Sequence, residues 1–299
     1  MQELAKKTAL ITGATGFVGA HLARRLISEG WAVHAIVRPQ SNTGRLQQLG
    51  IAIHQHDGST DGMMDIVSKA KPEIVFHLAS LFLAQHQPDD VVPLMESNVR
   101  FGAQLLEAMV ANGVSVLVNT GTAWQHYENK AYSPVCLYAA TKQAFEAILA
   151  YYAEATPLRA ITLKLFDTYG PDDPRPKLLP LLQKVSLKQE PFPMSPGEQL
   201  LDLVHIDDVV EAYVAAAKRL LQGKAALNHE IFAVRSGDPL SLQDIVKVFE
   251  SVTGRKVPVI WGGRPYRARE IMVPWSGGET LPDWQPRVSL AEGIRKLGL

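Results

Sequence analysis

Short β-branched runs alternate with stretches of helical spacing through the first half of this 299-residue chain, and that alternation restricts its fold more than any other feature. The runs are TALIT (8–12), AVHAIV (32–37), IAIHQ (51–55), EIVFHLA (73–79), VSVLVNT (114–120) and AITLKLF (160–166). Helical spacing fills 17–29, 61–70, 91–112 and 138–155 between them. Strand and helix in strict turn predict an α/β fold, a parallel sheet with helices on both faces. Ligands of such sheets bind outside the carboxyl ends of the strands.

After residue 167 the pattern changes. Prolines cluster in YGPDDPRPKLLP and EPFPMSPG, followed by a helix at 207–222, the strand HEIFAV and a helix at 241–253. Residues 257–287 are rich in Pro, Trp and Arg. We read 1–167 as one domain and 168–299 as a smaller, partly interleaved lobe covering the mouth of the sheet, with 203–235 returning to the first domain. Thirty basic and thirty acidic residues cancel, which argues against nucleic acid or an anionic membrane as partner. No run of eighteen apolar residues occurs, and MQELAKKTALITG enters a strand pattern directly, so neither a span nor a targeting peptide is expected. The single Cys136 excludes an internal disulfide and fits a reducing, cytoplasmic setting; no Cys/His/Asn constellation makes it a nucleophile. No metal site is expected.

ITGATGFVGA places Gly13, Gly16 and Gly19 between the first strand and the first helix, with Thr15, Phe17 and Val18 among them. Glycines there let the backbone turn tightly and approach a pyrophosphate, while the helix N-terminus offers N–H donors and a positive dipole end. This is the phosphate cradle of a Rossmann-type doubly wound sheet, spaced G-x-x-G-x-x-G rather than G-x-G-x-x-G. An NAD site usually carries a carboxylate near the end of the second strand. Residues 30–56 contain none; Arg38 stands there, followed by Ser41, Asn42 and Arg45. A guanidinium suits a 2′-phosphate, so NADP(H) is the expected cofactor, ahead of NAD(H).

Three tyrosines fall in TGTAWQHYENKAYSPVCLYAATK, residues 120–142. Only Tyr138 has a lysine four residues on, Lys142, which a helix places on the same face. A neighbouring cation favours the phenolate and is expected to lower the phenol pKa from about 10. Such a group can exchange a proton with a carbonyl or alcohol oxygen, and Thr122, at the end of the fifth strand, can bond the same oxygen.

With these motifs, nearly the whole chain resembles the extended short-chain dehydrogenase/reductases, the NAD-dependent epimerase/dehydratase family. TGATGFVG, VFHLAS, SNVRFGAQLLEA, TGT, YAATK, FDTYGPDD and DLVHIDDVVEA carry the resemblance. It implies a catalytic triad of Thr122, Tyr138 and Lys142. It implies Leu78, Ala79 and Ser80 along the cofactor, Asn98 behind it, Asp57 and Gly58 at the adenine, and Phe166 beside it. The family's second lobe commonly takes a nucleotide-diphosphate sugar. Trp124 and Gln125, with His126, then shape the sugar pocket, and Lys177, Arg264, Arg267 and Arg269 meet phosphates. Members often form homodimers through the helices at 91–111 and 138–155.

Departures from the family pattern narrow the reaction. The 4,6-dehydratases carry an Asp-Glu pair after the active-site Thr, where this chain has AWQ. The 4-epimerases usually carry a strand-two carboxylate, absent here. HLASLFLAQHQPDD and GTAWQHY resemble the 4-keto reductases of deoxysugar pathways, nearest to synthases of CDP-3,6-dideoxyhexoses, enzymes of O-antigen formation. Lys164 and Asp167 stand where many members have Arg and Asn. The alternatives are an NAD-dependent 4-epimerase, an NADPH reductase of a small or flavonoid-like ketone (suggested by IVRPQSN), and a non-catalytic NADP-binding regulator. His205 is expected to be a structural hydrogen-bonding residue.

Overall fold

The computed structural model describes residues 7–298; residues 1–6 of the first expected domain and Leu299 lie outside the described residues. The first half runs β1 (Thr8–Thr12), α1 (Phe17–Ser28), β2 (Ala32–Val37), α2 (Gly44–Gln48), β3 (Ala52–Gln55), α3 (Thr60–Ala70) and β4 (Ile74–His77). It continues with α4 (Val91–Met95), α5 (Phe101–Ala111), β5 (Val116–Thr122), α6 (Leu137–Ala155) and β6 (Arg159–Leu165). Then come β7 (Asp167–Tyr169), α7 (Leu178–Lys188), β8 (Phe192–Pro193), β9 (Leu200–Leu201), β10 (Leu203–His205) and α8 (Ile206–Leu221). The chain closes with β11 (His229–Val234), β12 (Leu240–Ser241), α9 (Leu242–Thr253), β13 (Val259–Ile260) and α10 (Leu290–Lys296).

Seven strands form one parallel sheet in the order β11-β6-β5-β4-β1-β2-β3. The order reverses between β1 and β4, which opens the crevice where doubly wound sheets bind ligands. One face packs under α1 and α8, with Leu22, Leu26, Val209 and Tyr213 buried against Ile11, Phe76 and Leu163. The other packs under α3, α5 and α6, with Val67, Leu105 and Leu149 on Leu10, Val75 and Leu117. A third core gathers α7, α9 and α10 around Phe249, Leu182 and Ile294. The Pro- and Trp-rich tail returns to the first core: Ala233 N donates to Glu279 O, and the Trp284 indole to Asp208 O.

Three local differences from the sequence expectation have physical causes. The run 73–79 pairs only over Ile74–His77, because the N–H groups of Leu78 and Ala79 turn to the Thr12 hydroxyl at 3.1 Å. The helix expected at 91–112 is interrupted by a π-turn at Glu96–Arg100 around the buried Asn98. Such turns insert one residue and occur often at functional sites. Helix α7 was hidden between proline clusters; Pro180 falls in its first turn, where no N–H is required of it.

Candidate active site

Strand β1 ends in a turn whose conformation only glycine holds comfortably, since Gly13 has φ +76° and a Cβ there would meet Ala79 N at 2.7 Å. At Gly19 a Cβ would sit 2.2 Å from Gly13 O, so helix and turn pack backbone to backbone. Gly16 is different: its Cβ would meet only Gly13 O, at 3.2 Å. Gly16 is the N-cap of α1, gives no side-chain cap, and the first turn contains no acid. The opening N–H groups of this helix therefore suit an anion, and the loop fits a pyrophosphate.

Beside this turn a cleft of about 240 Å³ lies over the strand ends. Gly13, Gly16, Phe17, Val18, Gly19, Leu78, Ser80, Thr122, Trp124, Tyr138, Lys142, Phe166 and Lys177 all line it. Asn98 stands behind: its amide donates to Leu81 O and the Thr141 hydroxyl and accepts from Leu81 N, pinning the loop after β4 to α6. Ala79 is held to Thr12 rather than opening on the cleft. Thr15 borders a neighbouring hollow with Arg24, Asn42 and Arg45. Arg38 is exposed at the end of β2. Asp57 is exposed too, but one carboxylate oxygen accepts from both N–H and hydroxyl of Ser59. Gly58 O accepts from Gln104 at 3.0 Å.

The electrostatics differ from the sequence expectation. The Tyr138 phenol is pushed up to about 12 rather than down. Burial raises it, and the Ser80 and Thr122 hydroxyls recover only part of that cost. The same burial pulls Lys142 down to about 8, opposed by Glu146. A dry pocket penalises both charged forms, so a neighbouring ammonium does not by itself make a phenolate. The Phe82 ring meets the Tyr138 ring edge-on at 4.9 Å.

The substrate-side residues divide. Lys177 enters the cleft, 3.6 Å from Asp167 and over the Phe82 ring. Trp124 lines the cleft, with the Arg267 guanidinium 5.7 Å from its ring. The three arginines do not converge there. Arg267 is paired with Glu270 at 2.7 Å, Arg269 lies on the Tyr127 ring and bonds Ser133, and the backbone of Arg264 is tied to Met194. A neutralised or stacked guanidinium is less available to a phosphate. Gln125 is likewise corrected: it is 0% exposed, and its amide is spent on Thr122 N, Gln143 and Glu146 rather than turned to a ligand.

Arg175, Phe82, Thr120 and Tyr213 also line the cleft and were not legible in advance. Arg175 lies in a proline-rich stretch without periodicity; it grips Asp173 and Thr168 and covers the Phe17 ring at 4.5 Å. Tyr213 reads in sequence as one more apolar-face residue of α8. His205 caps α8 by accepting from Asp207 N, a structural part. Cys136 holds the N-cap position of α6 without a side-chain cap, and burial pushes its thiol up, away from nucleophilic use. Among the described residues no group of three or more metal-ligating side chains occurs, and no helix is long and apolar enough to cross a membrane.

A CDP-abequose synthase from Salmonella muenchen is 27% identical over 296 residues, covering 97% of each chain. A UDP-glucose 4-epimerase from Corynebacterium glutamicum is 27% identical over 273 residues, 83% of this chain and 81% of its own. Among solved structures, a UDP-glucose 4-epimerase from Stenotrophomonas maltophila with NAD and formylated UDP-arabinopyranose superposes with a TM-score of 0.84. It shares 22% identity over 97% of this chain and 96% of its own, a likeness of fold. The profile of the NAD dependent epimerase/dehydratase family matches residues 9–230. The chain belongs to that family of NAD(P)-dependent, nucleotide-sugar-modifying enzymes.

Proposed function

We propose that this enzyme uses NADPH to reduce the 4-keto group of a nucleotide-diphosphate deoxysugar, with a CDP-linked 3,6-dideoxyhexose as the leading product. One observation carries the reading: a single cleft joins the uncapped N-terminus of α1 to Thr122, Tyr138 and Lys142, while β2 ends in Arg38 with no carboxylate. Likeness to CDP-abequose synthases over almost the full length supports the substrate class.

In this reading the α1 N-terminus and the glycine turn hold the pyrophosphate, Arg38 and Arg45 hold the 2′-phosphate, and Lys142 holds the ribose. A reduced nicotinamide, when bound, supplies the hydride. Tyr138 keeps its proton at neutral pH, with its phenol at about 12, and donates it to the alkoxide that develops at the former carbonyl. Thr122 bonds the same oxygen and orients it. Asn98 and Thr141 keep the two walls of the cleft in register. Phe82 and Trp124 exclude water from the reacting oxygen.

The test mixes purified protein with NADPH and a CDP-4-keto-3,6-dideoxyhexose and follows loss of NADPH absorbance. Turnover is expected, and Tyr138→Phe should lower it by about 10²-fold or more with NADPH binding retained. A purified protein carrying NAD that does not exchange would favour the second reading, a 4-epimerase, which the UDP-glucose 4-epimerase relatives support.

A further inference from the structure

Beneath the cleft lies a buried polar cluster of Gln125, His126, Glu146 and Lys164. Glu146 is one helical turn past Lys142 on the same face of α6. It is 6% exposed. One of its oxygens is 3.3 Å from the Lys164 ammonium and the other accepts from the Gln125 amide at 3.1 Å. The Gln125 carbonyl oxygen accepts from the backbone N–H of Thr122, also at 3.1 Å. Lys164 reaches His126 Nε2 at 2.7 Å, and His126 Nδ1 faces Lys130 O at 3.1 Å. An ammonium can only donate, so Nε2 accepts and the ring proton sits on Nδ1, pointing at that carbonyl. His126 is therefore neutral, and Trp275 stacks on it at 3.9 Å.

The charge count here is uneven. Two buried ammoniums, Lys142 and Lys164, share one carboxylate. On the cleft side stand Arg175 and the Lys177–Asp167 pair, and further titratable groups come from the strands and helices around the two lysines. They are His77 of β4, His126 of the loop after β5 and His229 of β11, with the phenols of Tyr138 on α6 and Tyr213 on α8. Burial lowers all three histidines and raises both phenols, so none supplies a charge near neutral pH. Among the described residues the Lys142 ammonium has no hydrogen-bond partner, and Glu146 is the anion that supports it.

We propose that Glu146 is a positioning residue for the reaction: through Gln125 it fixes the Thr122 backbone, and through space it keeps Lys142 protonated, in competition with Lys164. The proposal rests on the reading of Tyr138 and Lys142 as the reacting pair. It deepens that reading by naming what sets the charge of the lysine. A carboxylate shared between two cations stabilises each less than it would one alone. Removing Glu146 should discharge Lys142 more easily, and removing Lys164 should make it harder to discharge.

The experiment is a pH titration of the Lys142 side chain by NMR in the full chain, with labelled lysine and Lys142→Met to assign the signal. Glu146→Gln is expected to lower the midpoint by about 1 unit or more, and Lys164→Met to raise it. Opposite shifts from the two halves of one ion pair are not what loosened packing would produce. Glu146→Gln should also weaken NADPH binding several-fold on the alkaline side of the wild-type midpoint. If Glu146→Gln does not fold, because Lys164 is left buried and unpaired, Glu146→Gln/Lys164→Met is compared with Lys164→Met, and its midpoint should lie below that of the single variant. A midpoint unmoved by the single variants or moved in the same direction by both, or no difference between the double variant and Lys164→Met, overturns the proposal. Opposite midpoint shifts with unchanged NADPH binding would uphold it and overturn the cofactor assignment of Lys142 instead.

Discussion

The Tyr213 phenol lies 2.6 Å from the Thr120 hydroxyl, which itself donates to His77 O at 2.8 Å. Thr120 has one proton and spends it on that carbonyl, so the phenol is the donor to Thr120. The pair ties α8 to the ends of β4 and β5 beneath the cleft. Tyr213→Phe removes the donor and should cost about 1 kcal/mol of stability, read as a lower denaturation midpoint. NADPH affinity should change little, because the phenyl ring still fills its place in the core.

The glycine turn separates a folding requirement from a binding one. Gly19→Ala drives a methyl to within 2.2 Å of a carbonyl oxygen inside the chain and should lower stability measurably. Gly16→Ala meets the chain only at 3.2 Å, so its folded state should survive. Its loss should appear as weaker binding of NADPH, measured by fluorescence titration beside a thermal melt. Equal loss of binding and melting temperature at Gly16 would contradict the cradle.

Arg38 is the test of cofactor choice. An exposed guanidinium at the end of β2, with no carboxylate among residues 30–56, favours a 2′-phosphate over a 2′-hydroxyl. Arg38→Asp should weaken NADPH at least about tenfold and improve NADH, since a lost charge-assisted bond is worth roughly 1.5–3 kcal/mol. Unchanged preference in paired titrations would remove Arg38 from the site.

His77 gives a pH dependence of defined sign. Burial among Phe101 and Phe145, helped by repulsion from Lys142, lowers it from 6.5 to about 3. The unfolded chain therefore binds this proton before the folded one does. The stability is complete above pH 6.5 and is lost as pH falls towards about 3. At full extent the effect is on the order of 5 kcal/mol. His77→Gln, which can still accept from Thr12, should flatten the decline in denaturation midpoint across that window. An unchanged slope would show that His77 is not its source.

Much of this architecture was legible as periodicity. HEIFAV is β11 residue for residue, and the stretch 138–155 is α6 apart from one residue at its start. Thr122, Tyr138 and Lys142 could be chosen as a group because the end of one strand and the first turn of the next helix lie close in any parallel sheet of this connectivity. What periodicity could not supply was the direction in which polar side chains face. Gln125 and Trp124 are adjacent in sequence and equally plausible as pocket residues, yet one is buried on Glu146 and the other opens on the cleft. Arg264, Arg267 and Arg269 read as one basic run, but separate partners divide them.

The order of strands and helices, the phosphate-binding turn and the spacing of Tyr138 from Lys142 were determined by sequence alone, because each depends on contacts within a few residues. The protonation of that pair was decided only in three dimensions. Residues of β5, β6, α8 and the loop after β4 wall the pocket, and Asp167, Arg175 and Lys177 stand at its edge. That enclosure turned a phenol expected to be acidic into one that holds its proton up to about pH 12. Desolvation is a property of everything packed around a group, and no local stretch of sequence contains it.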